Sequence, residues 1–151
     1  MNQPHFLITR VAAVGPRRLA IAFGDGFEAE VDLGDVIERH PSLARLRQRK
    51  IFAAVAPDEW RRGVVFAGDD ALSLASDNLR ALAVEQGGGC SHQQLIAWMH
   101  RHGLSLDQAA QALGLSRRML AYYRSGEKPI PRTVALAMRG WEALHARGRA
   151  A

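Results

Sequence analysis

Three consecutive glycines, in Gln86-Gly87-Gly88-Gly89-Cys90, constrain this chain more than any other feature. Glycine loses the most backbone entropy on ordering, so such a run does not belong inside a helix or strand. It reads as a linker of short reach. The 151 residues are therefore expected to form two small domains, 1–86 and 91–151, instead of one. Charge divides at the same place. Residues 1–90 hold 11 Lys+Arg and 12 Asp+Glu, a net −1, whereas residues 91–151 hold 9 and 3, a net +6. An asymmetry of this kind points to an anionic partner for the basic half. Nucleic acid leads, because neutralised phosphates release counterions; a solvated basic surface is the blander alternative.

Composition removes several classes. Apolar residues make up 48% and charged residues 23%, as in an ordinary soluble globular protein. No apolar run approaches the ~18 residues that span a bilayer. The start, MNQPHFLITRVAAVG, has no basic segment followed by an apolar core, so it does not read as a secretory signal, and a cytoplasmic location is expected. Cys90 is the one cysteine, which rules out an intramolecular disulfide and a Cys-rich zinc site. Placed in the linker, it reads as an exposed thiol with no activating neighbour.

In the first half Leu19, Ile21 and Phe23 alternate with Ala20 and Ala22. After Gly24-Asp25-Gly26, Phe27, Ala29, Val31 and Leu33 alternate with Glu28, Glu30 and Asp32. Period two on both sides of a Gly-rich turn predicts a β-hairpin. A two-residue loop would set Phe23 against Glu28 and mix the faces. A three-residue loop pairs Phe23 with Phe27, Ile21 with Ala29 and Leu19 with Val31, with Gly26 left-handed, and buries one coherent face. A helix over about Leu33–His40 follows, with Pro41 interrupting it or starting a second short turn. Phe52–Val55 and Val64–Phe66 read as strands about a polar turn at Pro57–Gly63, and Ser76 can cap a helix over Asp77–Glu85. The fold class is α+β, a small antiparallel-sheet domain followed by an all-α one.

Paired carboxylates in this half, Asp69-Asp70 with Asp77 or Glu28 with Glu30, are the candidates for metal or acid–base work. The plainer reading is a turn after Gly68 and the wet face of a strand, with no histidine or nucleophile beside either group. No catalytic residue, cofactor or metal is assigned, and the chain is expected not to be an enzyme. Val11-Ala-Ala-Val14, Leu19-Ala-Ile-Ala-Phe-Gly-Asp-Gly26, Val31-Asp-Leu33, Lys50-Ile-Phe-Ala-Ala-Val55 and Gly68-Asp69 ahead of Ser76-Asp-Asn-Leu79 resemble a small bacterial family known as the domain of unknown function 2442. The likeness spans roughly residues 6–82, with Phe66 where tryptophan is usual, and brings no activity with it.

The second half carries sharper signals. Ser91-His-Gln-Gln94 and Ser105-Leu-Asp-Gln108 both have capping-box spacing. Leu95, Trp98, Met99 and His102 follow the first at helical spacing, and Gly103 ends that helix. A short helix with Ala109 and Leu113 inward follows the second. Ser116 is a third cap, opening a helix over 117–124 that ends near Gly126. Pro131 suits the first turn of a last helix, 132–146, with Val134, Met138, Trp141 and Leu144 on one face. Two short helices meeting at a sharp turn need a small residue at the crossing (Ala110), a residue tolerant of positive φ (Gly114), and apolar side chains in the angle (Leu113, Leu115, Leu120 and Tyr123). All are present at helix-turn-helix spacing; a generic pair of helices that binds no DNA is the alternative.

The side chains left over on the 116–124 helix, Arg117, Arg118, Ala121 and Tyr122 with Arg124 at the flank, would face a major groove. Arginine suits bidentate bonding to guanine O6 and N7. Ser116 offers a hydroxyl and a helix N-terminus to a phosphate, and Lys128 and Arg132 are placed for backbone contacts. His100 and His102 face different ways on their helix and do not make a metal pair. Trp98 and Trp141 read as core, and Gly87–Gly89 lacks the Lys-Ser/Thr of a phosphate loop.

Leu104-Ser-Leu-Asp-Gln-Ala-Ala-Gln-Ala-Leu-Gly-Leu-Ser116, followed by Leu120 and Ser125-Gly126, resembles the helix-turn-helix family of phage repressors and Cro-like proteins. That resemblance implies a compact five-helix domain whose third helix reads bases, acting as a homodimer on paired half-sites of duplex DNA, although only four helices are visible in this sequence. It places Arg117, Arg118 and Tyr122 at base-reading positions. Leu106 stands where a phosphate-touching glutamine is common, and Arg124 where an acid is usual. The expectation is a sequence-specific transcriptional regulator whose first domain senses, dimerises or binds a partner. The alternative is an antitoxin whose first domain binds a protein partner while the second represses its own promoter.

Overall fold

The computed structural model describes residues 3–150, with side chains through residue 146. The fold is α+β, and the chain divides into two compact units, Met1–Gln86 and Gly87–Ala151. In the first unit β1 (Ile8–Ala13), β2 (Arg18–Phe23) and β3 (Glu28–Asp32) form an antiparallel meander. Then come α1 (Gly34–Arg39), a 3-10 segment (Pro41–Arg47) and α2 (Arg49–Ala53). A second meander of β4 (Val55–Pro57), β5 (Gly63–Phe66) and β6 (Asp69–Ala75) leads into α3 (Ser76–Gln86).

The β2–β3 register follows the three-residue loop that the alternation predicts. Leu19 lies opposite Val31 and Ile21 opposite Ala29. The Phe23 N–H donates to the Phe27 carbonyl at 2.9 Å, and Gly26 takes φ 92°. One face is thereby dry: Leu19, Ile21, Phe23 and Val31 are buried with Leu33, Ile37, Leu46, Phe52, Phe66, Leu72 and Leu79. The other face carries Arg10–Glu28 and Arg18–Glu30 ion pairs, exposed and worth little individually.

Three sequence expectations need correction in this unit. Phe52–Val55 is not a strand; α2 runs through Ala53 and β4 starts only at Val55. The Gln48 carbonyl accepts the N–H groups of both Ile51 and Phe52, closing a helical turn. That turn delivers Phe52 into the core, stacked on Phe66 with ring centres 5.3 Å apart. Asp69-Asp70 does not stay in a turn but begins β6. The turn is Ala67-Gly68, both at positive φ (54° and 67°), which suits a tight two-residue hairpin. β1 was not anticipated, because a register shift between Ile8 and Arg10 breaks its alternation.

α3 is tied to the first meander from its middle and from its C-terminal end. Gln86 exchanges two 2.8 Å hydrogen bonds with the backbone of Asp32. Arg80 donates from both terminal nitrogens to the two oxygens of Asp25, each at 2.9 Å. It also donates to the His5 carbonyl at 3.0 Å and lies over the Phe27 ring at 4.1 Å. Such a bidentate, stacked geometry is one that only arginine supplies.

The second unit holds α4 (His92–Arg101), α5 (Leu106–Leu113), α6 (Arg117–Arg124) and α7 (Arg132–Ala150). Its own core contains Leu95, Trp98, Ala109, Ala110, Leu120, Tyr123, Val134 and Met138. Both capping boxes form as the spacing predicts: Ser91 with Gln94 and Ser105 with Gln108. Trp98 is core, and Trp141 packs against it edge-on at 5.4 Å.

Two expectations fail here. Cys90 is not an exposed linker thiol: it is half-buried, forms a β-bridge with Ile130 and packs against this core. Leu144 is not on the buried face and is 67% exposed. Two successive three-residue steps from Met138, through Trp141, each rotate the stripe about 60° the same way, which carries Leu144 off the core side. Among the described residues no helix is long and apolar enough to cross a membrane.

The Arg80–Asp25 clasp sets a pH dependence. Burial alone would raise the Asp25 pKa, but hydrogen bonds from Arg80 and the Phe27 N–H outweigh it and hold the carboxyl below its ordinary value. A carboxyl lowered by folding stabilises the fold above its unfolded pKa, about 4, and that contribution fades as pH falls through the lower folded value. Asp25→Asn should lower the melting temperature at pH 7 and flatten its decline below pH about 4. An unchanged acid limb in thermal unfolding from pH 7 to 2 contradicts a stabilising clasp.

Candidate nucleic-acid interface

The candidate surface is built outward from the α5–α6 turn. Gly114 takes φ 69° and ψ 32°, the left-handed region that side chains with a Cβ seldom enter. This conformation lets the Leu115 N–H reach back to the Ala110 carbonyl at 2.9 Å and the Gly114 N–H to the Gln111 carbonyl at 3.3 Å. The two bonds are those of a Schellman C-cap, and they satisfy carbonyls that the end of α5 would otherwise leave unpaired. The chain then needs only Leu115 before Ser116 restarts it. The Ser116 hydroxyl accepts the Met119 N–H at 3.1 Å and caps α6.

Packing decides which side of α6 faces out. Leu120 is fully buried and Tyr123 is 8% exposed, against Ala109 and Ala110 at 0% and 4%. At 3.6 residues per turn, Arg124, Arg117, Ala121, Arg118 and Tyr122 fall in that order across an arc of about 160° on the opposite side. Arg117, Arg118 and Arg124 are exposed; Ala121 and Tyr122 are half-buried. Lys128, on the loop past α6, and Arg132, at the start of α7, are also exposed.

The eight sequence-nominated residues do not behave alike. Arg118, Tyr122 and Lys128 are in direct contact. The Arg118 Nε–H donates to the Tyr122 hydroxyl at 3.0 Å, and this contact holds the guanidinium proton more firmly than usual. The Lys128 ammonium lies 4.7 Å from the centre of the same ring, and the Lys128 N–H bonds the Tyr122 carbonyl at 3.3 Å. Arg117 instead leans to Asp107 of α5 at 3.5 Å, an exposed pair. Among the described residues Arg124, Lys128 and Arg132 have no ion-pair partner. Ser116 stays committed to its capping bond.

Reading the sequence missed all three of these contacts, Arg118–Tyr122, Lys128–Tyr122 and Arg117–Asp107. The Arg118–Tyr122 spacing of i, i+4 signals a helical neighbour. Lys128 reaches Tyr122 only because Gly126, at φ 80°, folds the chain back after α6, and no periodicity reports that. Arg117–Asp107 depends on the turn between the two helices.

Four of the carboxylates weighed for chemistry, Asp69, Asp77, Glu28 and Glu30, are engaged in structural bonds. Asp69 accepts from the Ala71 N–H at 3.0 Å and from Arg45 at 2.6 Å, and these two contacts, in that order, hold it below the ordinary carboxylate range. Glu28 and Glu30 pair with Arg10 and Arg18. Among the described residues no group of three or more His, Cys, Asp or Glu side chains could hold a metal ion. His102 turns to Glu142 at 2.8 Å, while His100 is exposed.

No family model matches the chain, and no curated protein matches it. Among solved structures it is similar to "Putative DNA Binding Protein NE0471" from Nitrosomonas europaea ATCC 19718. The two chains are 44% identical, with 95% of this chain and 91% of that chain covered and a TM-score of 0.83. The chain belongs to the same family as that protein.

The Gly114 turn carries a stability prediction. Nothing lies within 4 Å of a Cβ built at Gly114, so a substitution is opposed by backbone conformation alone. Gly114→Val should destabilise the second unit by about 1–2 kcal/mol or more, and Gly114→Asn by less, because asparagine tolerates this region. Equal melting temperatures for the two variants would count against a left-handed residue here.

Proposed function

We propose that this chain, as a member of that family, is a sequence-specific duplex-DNA-binding protein that regulates transcription and is not an enzyme. In this reading α5, the Gly114 turn and α6 are a helix-turn-helix of the Cro and phage-repressor type, and α6 docks in the major groove. The observation that carries it is the outward arc of α6: arginines and a tyrosine lie opposite a packed face, on the unit that holds the +6 charge. Arg117, Arg118, Ala121 and Tyr122 face base edges, with Arg124 at the flank. Ser116, Lys128 and Arg132 meet phosphates. The similar Nitrosomonas europaea protein, itself described as a DNA-binding protein, supports this reading.

One eight-residue helix reads only a few base pairs. The protein therefore acts as a homodimer on two half-sites about 34 Å apart, one helical repeat of DNA. The first unit then serves as a sensing, dimerising or partner-binding module.

Base-reading and phosphate-binding residues differ in what their loss does. On a site selected from random duplexes, Arg118→Ala should cost about 1–3 kcal/mol and relax base preference, while barely changing affinity for unrelated DNA. Lys128→Ala should weaken both kinds of DNA alike and reduce the slope of log affinity against log salt by about one. Fluorescence anisotropy across a salt series measures both. If Arg118→Ala lost affinity equally on selected and unrelated duplexes, Arg118 would not read bases.

A further inference from the structure

The two arginines at the start of α6 are chemically identical but differently held. Arg117 faces a carboxylate, Asp107, that a nearby phosphate or base would have to displace. Arg118 has a neutral partner. Its Nε–H is taken by the Tyr122 hydroxyl at 3.0 Å, and its guanidinium carbon lies 5.6 Å from the centre of the Tyr122 ring. A guanidinium has five N–H donors in a rigid plane. With Nε engaged, the four on the two terminal nitrogens make no other hydrogen bond among the described residues. Those two nitrogens form the edge that matches O6 and N7 of guanine.

The same tyrosine also touches the cation assigned to the backbone. Lys128 Nζ lies 4.7 Å from its ring centre, and the Lys128 N–H is bonded to its carbonyl. One half-buried side chain thus contacts two cations, Arg118 through its hydroxyl and more distantly its ring, and Lys128 through its ring alone. Long cationic side chains lose rotamer freedom when they bind, and a partner that restricts them beforehand reduces that loss.

We infer that Tyr122 is a positioning residue that fixes Arg118 through its hydroxyl for bidentate reading of a guanine and seats the Lys128 amine through its ring for a phosphate. The inference rests on the DNA-binding function proposed above and assigns the guanine-reading role to Arg118 in preference to Arg117. It separates two functions within one side chain. The hydroxyl serves base discrimination; the ring serves sequence-independent affinity.

The test is selection from a random duplex library with the full chain, repeated with Tyr122→Phe, Tyr122→Ala, Arg118→Ala and Arg117→Ala. Affinity for a fixed unrelated duplex is measured beside each. Tyr122→Phe keeps the ring and removes the hydroxyl. It should lower the preference for guanine about 3- to 10-fold at the position that Arg118→Ala abolishes, a larger loss than the one on the unrelated duplex. Tyr122→Ala should lose both preference and unrelated-duplex affinity. A merely structural role would lower the melting temperature and leave base preference in place. Wild-type preference in Tyr122→Phe overturns the inference. So does loss of the guanine on Arg117→Ala but not on Arg118→Ala. A wild-type chain that binds DNA but enriches no sequence overturns specificity, and a chain that binds no DNA overturns the proposed function; each takes this inference with it, and each is told apart from a failure of Tyr122 alone.

Discussion

The second unit depends on one backbone conformation. With Gly114 in the left-handed region, the Leu115 N–H turns back onto the Ala110 carbonyl, and α6 begins two residues later. Ala110 contributes twice, with a carbonyl that closes the turn and a methyl small enough to bury beside Leu120 and Tyr123. Everything on the outward arc follows from that packing. Once Leu120 and Tyr123 face inward, helical geometry leaves Arg117, Arg118, Ala121, Tyr122 and Arg124 no other direction. The cap at Ser116 satisfies one of the first-turn N–H groups of α6, that of Met119, and anchors the start of the helix that carries the arginines.

Electrostatics and packing play separate parts in this unit. Its core is apolar, and among the described residues Arg118, Arg124, Lys128 and Arg132 lie outside that core without ion-pair partners. Arg101 is an exception: with His102 it holds Glu142 and keeps that carboxyl below its ordinary pKa. This ties α4 to α7 and engages the Arg101 guanidinium and the His102 ring in the fold. The first unit is organised differently. Its exposed strand face neutralises itself through Arg10, Arg18, Glu28 and Glu30, and its most enclosed arginine, Arg80, is matched by Asp25. A near-neutral unit beside a basic one in sequence is what the charge count implied, and the contacts explain how each is used.

Legibility from sequence tracked the range of the interactions involved. Capping boxes, the left-handed glycines and the hairpin register depend on residues a few positions apart, and these were readable at Ser91, Ser105, Gly114 and Gly26. The β2–β3 loop length could be argued because only one pairing buries a coherent face. Phe52–Val55 was misread because a short apolar run fits a helix or a strand equally, and the choice was made by Phe66, distant in sequence. Cys90 was misplaced because its partner, Ile130, is forty residues away. At the candidate site, Arg118 and Tyr122 were nominated by helical spacing. Their link to Lys128 required the fold-back at Gly126, a tertiary fact.

The central claim is that DNA meets the protein along the outer arc of α6 and the loop beyond it. Amide hydrogen exchange, with and without a duplex of random sequence at low salt, tests this most directly. The account predicts added protection over residues 116–132 and none over the buried strands of the first unit. Protection confined to residues 3–86, or a uniform pattern unchanged by DNA, would contradict it.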